Sequence, residues 1–201
     1  PIIIVGNPRS GTTFLHRYLV KNGIGVGSQL WQMLYPTILL QKILRPMLPF
    51  LEKVSPARHH STTAHKTSLQ SVETDDVAIF FRYFDGFFLY GFILAWANEN
   101  LFKWVDPKQR NKTRRDYKFL QSLWLQNQYV AGIDRSVGKL ASIGANLPQF
   151  LDYFPDSKIL YIVRDPLSSI PSGLSLVTGA LDKRFGFWNL PIEKRERYSK
   201  R

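Results

Sequence analysis

The sequence predicts an α/β fold: three layers, with a central parallel sheet flanked by helices and a large helical insertion in the middle of the chain. Three observations carry this. The chain opens on a β-branched apolar run, Ile2-Ile3-Ile4-Val5, which reads as a strand buried on both faces. A glycine-bracketed loop and an apolar-periodic segment with Leu15, Leu19 and Val20 follow it, giving strand, loop, helix. Far along the chain, Lys158-Ile159-Leu160-Tyr161-Ile162-Val163 is a second clear strand that also leads into a helical segment. Strands alternating with helices imply a parallel sheet.

The first loop is Gly6-Asn7-Pro8-Arg9-Ser10-Gly11-Thr12-Thr13. Its two glycines have P-loop spacing. In such a loop, successive backbone N–H groups and the helix N-terminus converge on one point and suit an anion. A nucleoside triphosphatase carries Lys after the second glycine. Here Thr12 stands there, and the cation, Arg9, lies inside the loop. The cradle is kept but the lysine for ATP or GTP is missing, so a ligand with a different charge pattern is expected.

At 201 residues a single domain, 1–201, is the default. The 27 basic residues against 15 acidic ones give a formal charge of +12, which suits an anionic partner. Nucleic acid, an anionic membrane and a polyphosphorylated nucleotide all qualify. The chain has no cysteine, which excludes disulfide frameworks and cysteine metal sites and is compatible with a reducing compartment. No signal peptide is visible. The chain starts without Met in a core strand and stops within a charged helical pattern, so both ends read as cut from a longer protein.

In order, the first helix runs from Thr12 to about Asn22, with Asn22-Gly23 as its stop. Ile24–Gly27 is a short strand or a tight turn. Leu30 to Val54 is broken by Pro36, Pro46 and Pro49 into short helices bearing Lys42, Arg45 and Lys53. These helices read as a flap over the active site or as a basic amphipathic face on a membrane. Residues 56–71 are polar and read as a loop. Val72-Glu73-Thr74-Asp75-Asp76 before an apolar run is a helix-start signature, and its carboxylates either cap that helix or supply a general base. In Val77 to Trp96, core burial explains most of the aromatics, and Arg82, Asp85, Gly86 and Gly91 argue against a membrane span. Asn98 to Arg115 is basic but poor in the aromatics and glycines of a nucleic-acid patch. It reads as a solvated loop before a helix over Asp116–Tyr129. Val137–Ala141 is a short strand carrying Lys139. Asn146 is the N-cap of a helix with Pro148 in its first turn, and a final helix starts at Ser168 or Ser169 and carries Ser172.

Pro8-Arg9-Ser10-Gly11-Thr12-Thr13 resembles the 5′-phosphosulfate loop of the sulfotransferases, enzymes that use 3′-phosphoadenosine 5′-phosphosulfate (PAPS). Tyr161-Ile162-Val163-Arg164-Asp165-Pro166, with Ser172 eight residues after Arg164, resembles the same family's 3′-phosphate motif. The stretch from Lys139 through Phe154-Pro155-Asp156 to Arg164 is similar to the broad bacterial branch. The resemblance covers residues 2 to about 20 and 139 to about 176, and the middle matches loosely. It implies in-line transfer of a sulfonate group from PAPS to an acceptor hydroxyl or amine, leaving 3′,5′-ADP and requiring no metal. It implies that Arg9, Ser10, Gly11, Thr12 and Thr13 hold the 5′ side, that Arg164 and Ser172 hold the 3′-phosphate, and that Arg9 and Lys139 stabilise charge on the leaving phosphate. The partner it implies is a hydroxyl-bearing acceptor, not nucleic acid. The aromatic, leucine-rich middle suggests one that is apolar, lipid-linked or carbohydrate, handled by a cytoplasmic protein with peripheral membrane contact.

The pattern departs from the family at the base that takes the acceptor's proton. The His that cytosolic small-molecule sulfotransferases place after the strand lysine is replaced by Leu140-Ala141-Ser142-Ile143. The Glu of tyrosyl-protein sulfotransferases falls in a region reading Gly27-Ser28-Gln29. A His followed by an acidic cluster occurs in the broad bacterial group, so Glu73 is the expected base, with His65 second and Asp75 or Asp76 as alternatives. Of the family's basic, glycine-containing C-terminal loop, only Lys183-Arg184 and Gly186 give an echo. Two other readings stay open. One is a P-loop nucleotide kinase or NTPase. The other is a non-catalytic nucleotide-binding module on a degenerate sulfotransferase fold.

Overall fold

The computed structural model describes residues 1–55 and 67–200. The opening apolar run is the central strand, β1 (Ile2–Gly6). Ile3, Ile4 and Val5 are at most 1% exposed, each burial contributing roughly 1.5–3 kcal/mol. Two further strands, β2 (Val137–Lys139) and β3 (Lys158–Ile162), pair with it in parallel, in the order β2-β1-β3. Ile4 lies beside Lys139 and Gly6 beside Ile162, so the three carboxyl ends share one rim. A parallel bridge between Val26 and Ser136 continues the β2 edge, so Ile24–Gly27 supplies one bridge and no full strand. On the other side β3 is an exposed edge among the described strands, with Leu160 38% and Tyr161 55% accessible.

The helix that follows the first loop, α1 (Thr12–Lys21), ends at Asn22 and at Gly23, whose φ of +69° only glycine adopts readily. The prolines set the next boundaries. Pro36 separates α2 (Leu30–Leu34) from α3 (Ile38–Leu44). Pro46 sits in a 3₁₀ turn (Arg45–Met47), and Pro49 in the first turn of α4 (Leu48–Val54). Then come α5 (Asp76–Tyr83), α6 (Phe87–Phe92) and the long α7 (Thr113–Ala131), closed by Gly132. The main core lies on one face of the sheet, where Ile3 and Val5 meet Ile79, Leu120, Trp124 and Phe150. After β2, α8 (Leu147–Tyr153) leads to β3, and α9 (Pro166–Phe185) and α10 (Ile192–Ser199) complete the chain.

Several local expectations change. The last predicted helix, α9, starts earlier, at Pro166, because the Asp165 carboxylate caps it, accepting from the Leu167 N–H and the Ser168 hydroxyl. Asn146 holds the N-cap position of α8, but its amide donates to Thr113 Oγ1 instead of capping. Lys183 lies within α9 and Gly186 is that helix's left-handed C-cap, so this stretch is helical and not a ligand-closing loop. Core burial accounts for only part of the aromatic window. Phe81, Phe84, Phe87 and Phe92 are 43–62% exposed, because breaks at Phe84 and Gly86 leave two short helices with one face each against the core. Among the described residues no single helix is long and apolar enough to cross a membrane. The pair Asp76–Tyr83 and Phe87–Trp96 meets that criterion only jointly, with a 74° bend.

The basic run leading into the first turn of α7 is not simply solvated. Lys112 Nζ, Arg115 Nη2 and Arg110 Nη1 lie 2.6, 2.9 and 3.4 Å from the carboxylate of Asp85, which is 3% exposed. Burial alone raises the Asp85 pKa. The hydrogen bonds from Lys112, the Gly86 N–H and Arg115 outweigh it and hold the carboxyl below the usual range.

The acidic cluster before α5 is also turned to another use. Asp75 sits at the N-cap without capping. Its carboxylate accepts from the Lys139 N–H (3.0 Å) and from Trp124 Nε1 (3.2 Å), while its own N–H donates to Lys139 O. Asp76 accepts from the Ala141 N–H (2.8 Å) and from the Ser142 hydroxyl. Both carboxylates thus pin the carboxyl end of β2. Burial pushes the Asp75 carboxyl up from 3.8 to about 6, against the hydrogen bonds it accepts. The folded state therefore binds this proton more tightly than the unfolded chain, and Asp75 costs increasing stability as pH rises from 3.8 to about 6. Measured by urea unfolding against pH, the stability of wild type minus that of Asp75→Asn should fall by about 3 kcal/mol across that window and stay level above it.

In Asp85 the sign is opposite. Its contribution is present above the usual carboxylate pKa and disappears as pH falls through the depressed folded value. Asp85→Ala should cost about 2 kcal/mol at pH 7, a figure reduced because Arg110 and Arg115 remain partly solvated. Chemical denaturation of the two proteins at pH 7 measures it.

Candidate active site

The loop between β1 and α1 leaves the sheet at its carboxyl rim, where ligands of open α/β sheets bind. Gly6 has no room for a side chain, since a Cβ there would lie 2.6 Å from Ile162 O. The chain then coils back through left-handed conformations at Arg9 (φ +69°) and Gly11 (φ +99°). A non-glycine residue in that region stores strain of order 1–2 kcal/mol, held here by two bonds across the rim. Arg9 Nε donates to Ser172 Oγ (2.9 Å), and Arg164 Nη1 donates to Arg9 O (2.9 Å). Among the described residues the N–H groups of Gly11, Thr12 and Thr13 have no protein acceptor. They form, at the α1 N-terminus, an anion cradle. Ser10 braces the loop: its hydroxyl (2.7 Å) and its own N–H (3.2 Å) both donate to Asn7 O.

Lys139, the last residue of β2, is 8% exposed and reaches across to α1, where its Nζ donates to Thr13 Oγ1 (2.8 Å). With its oxygen accepting from Lys139, the Thr13 hydroxyl has its own proton left to donate outward. Burial holds the Lys139 ammonium pKa below its ordinary value, and the carboxylates of Glu73 and Asp76 work against that. Behind it, Arg17 Nη2 pairs with Glu73 Oε1 at 2.9 Å, and the Ser71 hydroxyl donates to the same oxygen. Glu73 is 5% exposed. His16 is fully buried, and its Nε2–H donates to Val137 O (2.9 Å), tying α1 to β2. Burial first, then the Lys139 charge, pushes its pKa down to about 4, so the ring is neutral at pH 7.

The structure therefore brings Arg9, Ser10, Gly11, Thr12, Thr13, Lys139, Arg164 and Ser172 to one rim, although the chain separates Arg9 from Ser172 by 163 positions. Glu73 joins through Arg17, one turn along α1 from Thr13. His65 lies outside the described residues. Asp75 and Asp76 are engaged by the end of β2. Arg164 does not pair with Asp165, which caps α9. Nothing in the sequence motifs singles out Arg17 or His16. The i, i+4 spacing of Thr13 with Arg17 and of Thr12 with His16 was the available signal. Chemically, the rim offers three cations and a row of N–H donors, with one paired carboxylate set behind them. This suits a ligand with two separated anionic groups.

The family model described as the sulfotransferase family matches residues 1–195. Two solved structures share the fold. A sulfotransferase from Mycobacterium tuberculosis aligns with a TM-score of 0.60 at 15% identity, and one from Mycobacterium avium with 0.61 at 17%. The alignments cover 100% of this chain but 57% and 55% of those proteins, so the chain spans little more than half their length. A comparison with curated proteins found no match. With the loop at the end of β1, the arginine at the end of β3 and a family match over nearly its whole length, the chain belongs to the sulfotransferase family.

Proposed function

We propose that the protein transfers a sulfonate group from PAPS to an acceptor hydroxyl or amine. The observation that carries this reading is the pair of bonds joining the two motifs, Arg9 Nε to Ser172 Oγ and Arg164 Nη1 to Arg9 O. They support reading the two motifs as one site, a 5′ cradle beside a 3′-phosphate clamp. The nucleotide fits the residues present: unpaired N–H groups at the α1 N-terminus suit its 5′-phosphate, and Arg164 with the Ser172 hydroxyl suits its 3′-phosphate. When bound, PAPS supplies the activated sulfonate group for in-line displacement by the acceptor oxygen or nitrogen.

The chain's own residues divide the remaining work. The loop N–H groups and Thr12 and Thr13 orient the 5′ side and stabilise charge as it grows on the leaving phosphate. Arg9 adds a fixed positive charge there, and because a guanidinium does not release its proton at neutral pH, its help is electrostatic. Lys139, partly desolvated and bonded to Thr13, adds a second charge close by. Glu73 is the proposed base for the acceptor's proton, with Arg17 and Ser71 setting its orientation and His65 as the second candidate. The exposed phenylalanines of α5, which starts three residues after Glu73, and of α6 favour an apolar or amphipathic acceptor, such as a lipid or a lipid-linked sugar.

Calorimetric titration should show 3′,5′-ADP binding more tightly than ATP with magnesium. Arg164→Ala should weaken 3′,5′-ADP at least about tenfold, roughly 1.4 kcal/mol, for a lost charge-assisted contact. Preference for ATP with magnesium, or an Arg164→Ala protein that binds 3′,5′-ADP as wild type does, refutes the cofactor assignment. Glu73→Gln should lower kcat by about 10²-fold or more while leaving 3′,5′-ADP affinity within about twofold. Single-turnover transfer from labelled PAPS measures the first and calorimetry the second.

A further inference from the structure

We infer that α3, the 3₁₀ turn and α4 form one arm that docks on the surface of an anionic lipid bilayer. The backbone keeps right-handed helical values at Leu44, Arg45, Met47 and Leu48, so the two short helices run into one another through the 3₁₀ turn over residues 38–54. Leu39, Ile43, Met47, Phe50 and Val54 follow one another at intervals of four, four, three and four residues. They are 47–68% exposed and lie at helical spacing, an apolar stripe on the outside of the arm. The inward side is already occupied, with Leu48 and Leu51 packing on Leu30, Trp31 and Leu69, and Gln41 donating to Tyr35 O.

Charge identifies the occupant. Lys42, Arg45 and Lys53 are exposed beside the stripe. The one acidic residue in the arm, Glu52, is turned inward, and both of its oxygens accept from the Leu69 N–H (3.0 and 3.2 Å). Among the described residues the outer surface of the arm is therefore apolar and cationic, with Lys42 and Arg45 carrying the charge. A bilayer with anionic headgroups offers acyl chains for the stripe and negative charge for the flank, the pattern of helices that lie in the membrane interface. A second copy of this chain would bring like charges together, on a molecule whose formal net charge is +12. The arm is too short and too interrupted by charge and proline to span a bilayer, so it lies on the surface.

The test is co-sedimentation with phosphatidylcholine vesicles, with and without ~30 mol% phosphatidylserine, at low and high salt. Wild type should partition at least about tenfold more onto the anionic vesicles, with the preference weakening in high salt. Ile43→Asp with Phe50→Asp should lower that partition at least about tenfold, and Lys42→Glu with Arg45→Glu should remove the preference for anionic lipid. Calorimetric 3′,5′-ADP binding should match wild type in both, which keeps this test separate from that of the rim. Wild type that stays in the supernatant, or an aspartate variant that sediments like wild type, overturns the inference. So does lipid-free self-association of wild type that Ile43→Asp abolishes, since the stripe is then a contact between copies. If the aspartate pair does not fold, the Lys42 and Arg45 reversals decide, and an unchanged preference for anionic vesicles overturns it.

Discussion

The missing side chain of Gly6 is the constraint on which the rim depends. At the point where β1 passes Ile162, a methyl group would lie 2.6 Å from a carbonyl oxygen of β3. With hydrogen there, the loop begins tight against the neighbouring strand and turns back over it. That turn carries Arg9 into a left-handed conformation, and the two bonds it makes, to Ser172 on α9 and from Arg164 after β3, hold it there. A cation and a set of N–H donors thus share one small volume with a second cation from a distant part of the chain. The strain at Arg9 is small beside the burial of β1, so the sheet dictates the loop's shape.

Behind the loop lies a set of buried charges whose arrangement follows from desolvation. A lysine as enclosed as Lys139 is costly unless opposite charge is near, and the structure supplies Glu73 and the two aspartates. The aspartates are in turn spent on backbone N–H groups at the end of β2, which keeps the lysine's stem in register with β1. Glu73 differs from them. It is bonded by side chains, Arg17 and Ser71, which can move without unravelling a strand. The residue types alone do not reveal which carboxylate is held by a strand and which by side chains.

The helical middle of the chain is tied to itself by the same economy. Asp85 sits at the bend between α5 and α6 and gathers Arg110, Lys112 and Arg115, so a run of positive charge becomes the joint that seats α7. The core helices then present Leu120 and Trp124 to β1, while the α3–α4 arm stays outside with its apolar stripe in water.

Periodicity, punctuation and short motifs are local, and so they were legible. The β-branched run marked β1, Asn22-Gly23 ended α1, the prolines divided residues 30–54, and the Arg9 and Arg164 motifs named the rim and the family. Each rests on backbone preference or side-chain spacing within about ten residues, which the chain carries wherever it is placed. What the sequence could not decide were the partners. It did not say that Asp75 holds the Lys139 N–H rather than capping α5, that Lys112 and Arg115 seek Asp85, that Arg17 pairs with Glu73, or that several phenylalanines of α5 and α6 face water. A charge or an aromatic ring reads the same at the surface and in the interior. Its role is set by the dielectric and the donors around it, and those come from segments as far as 163 residues away that only the packed fold brings together.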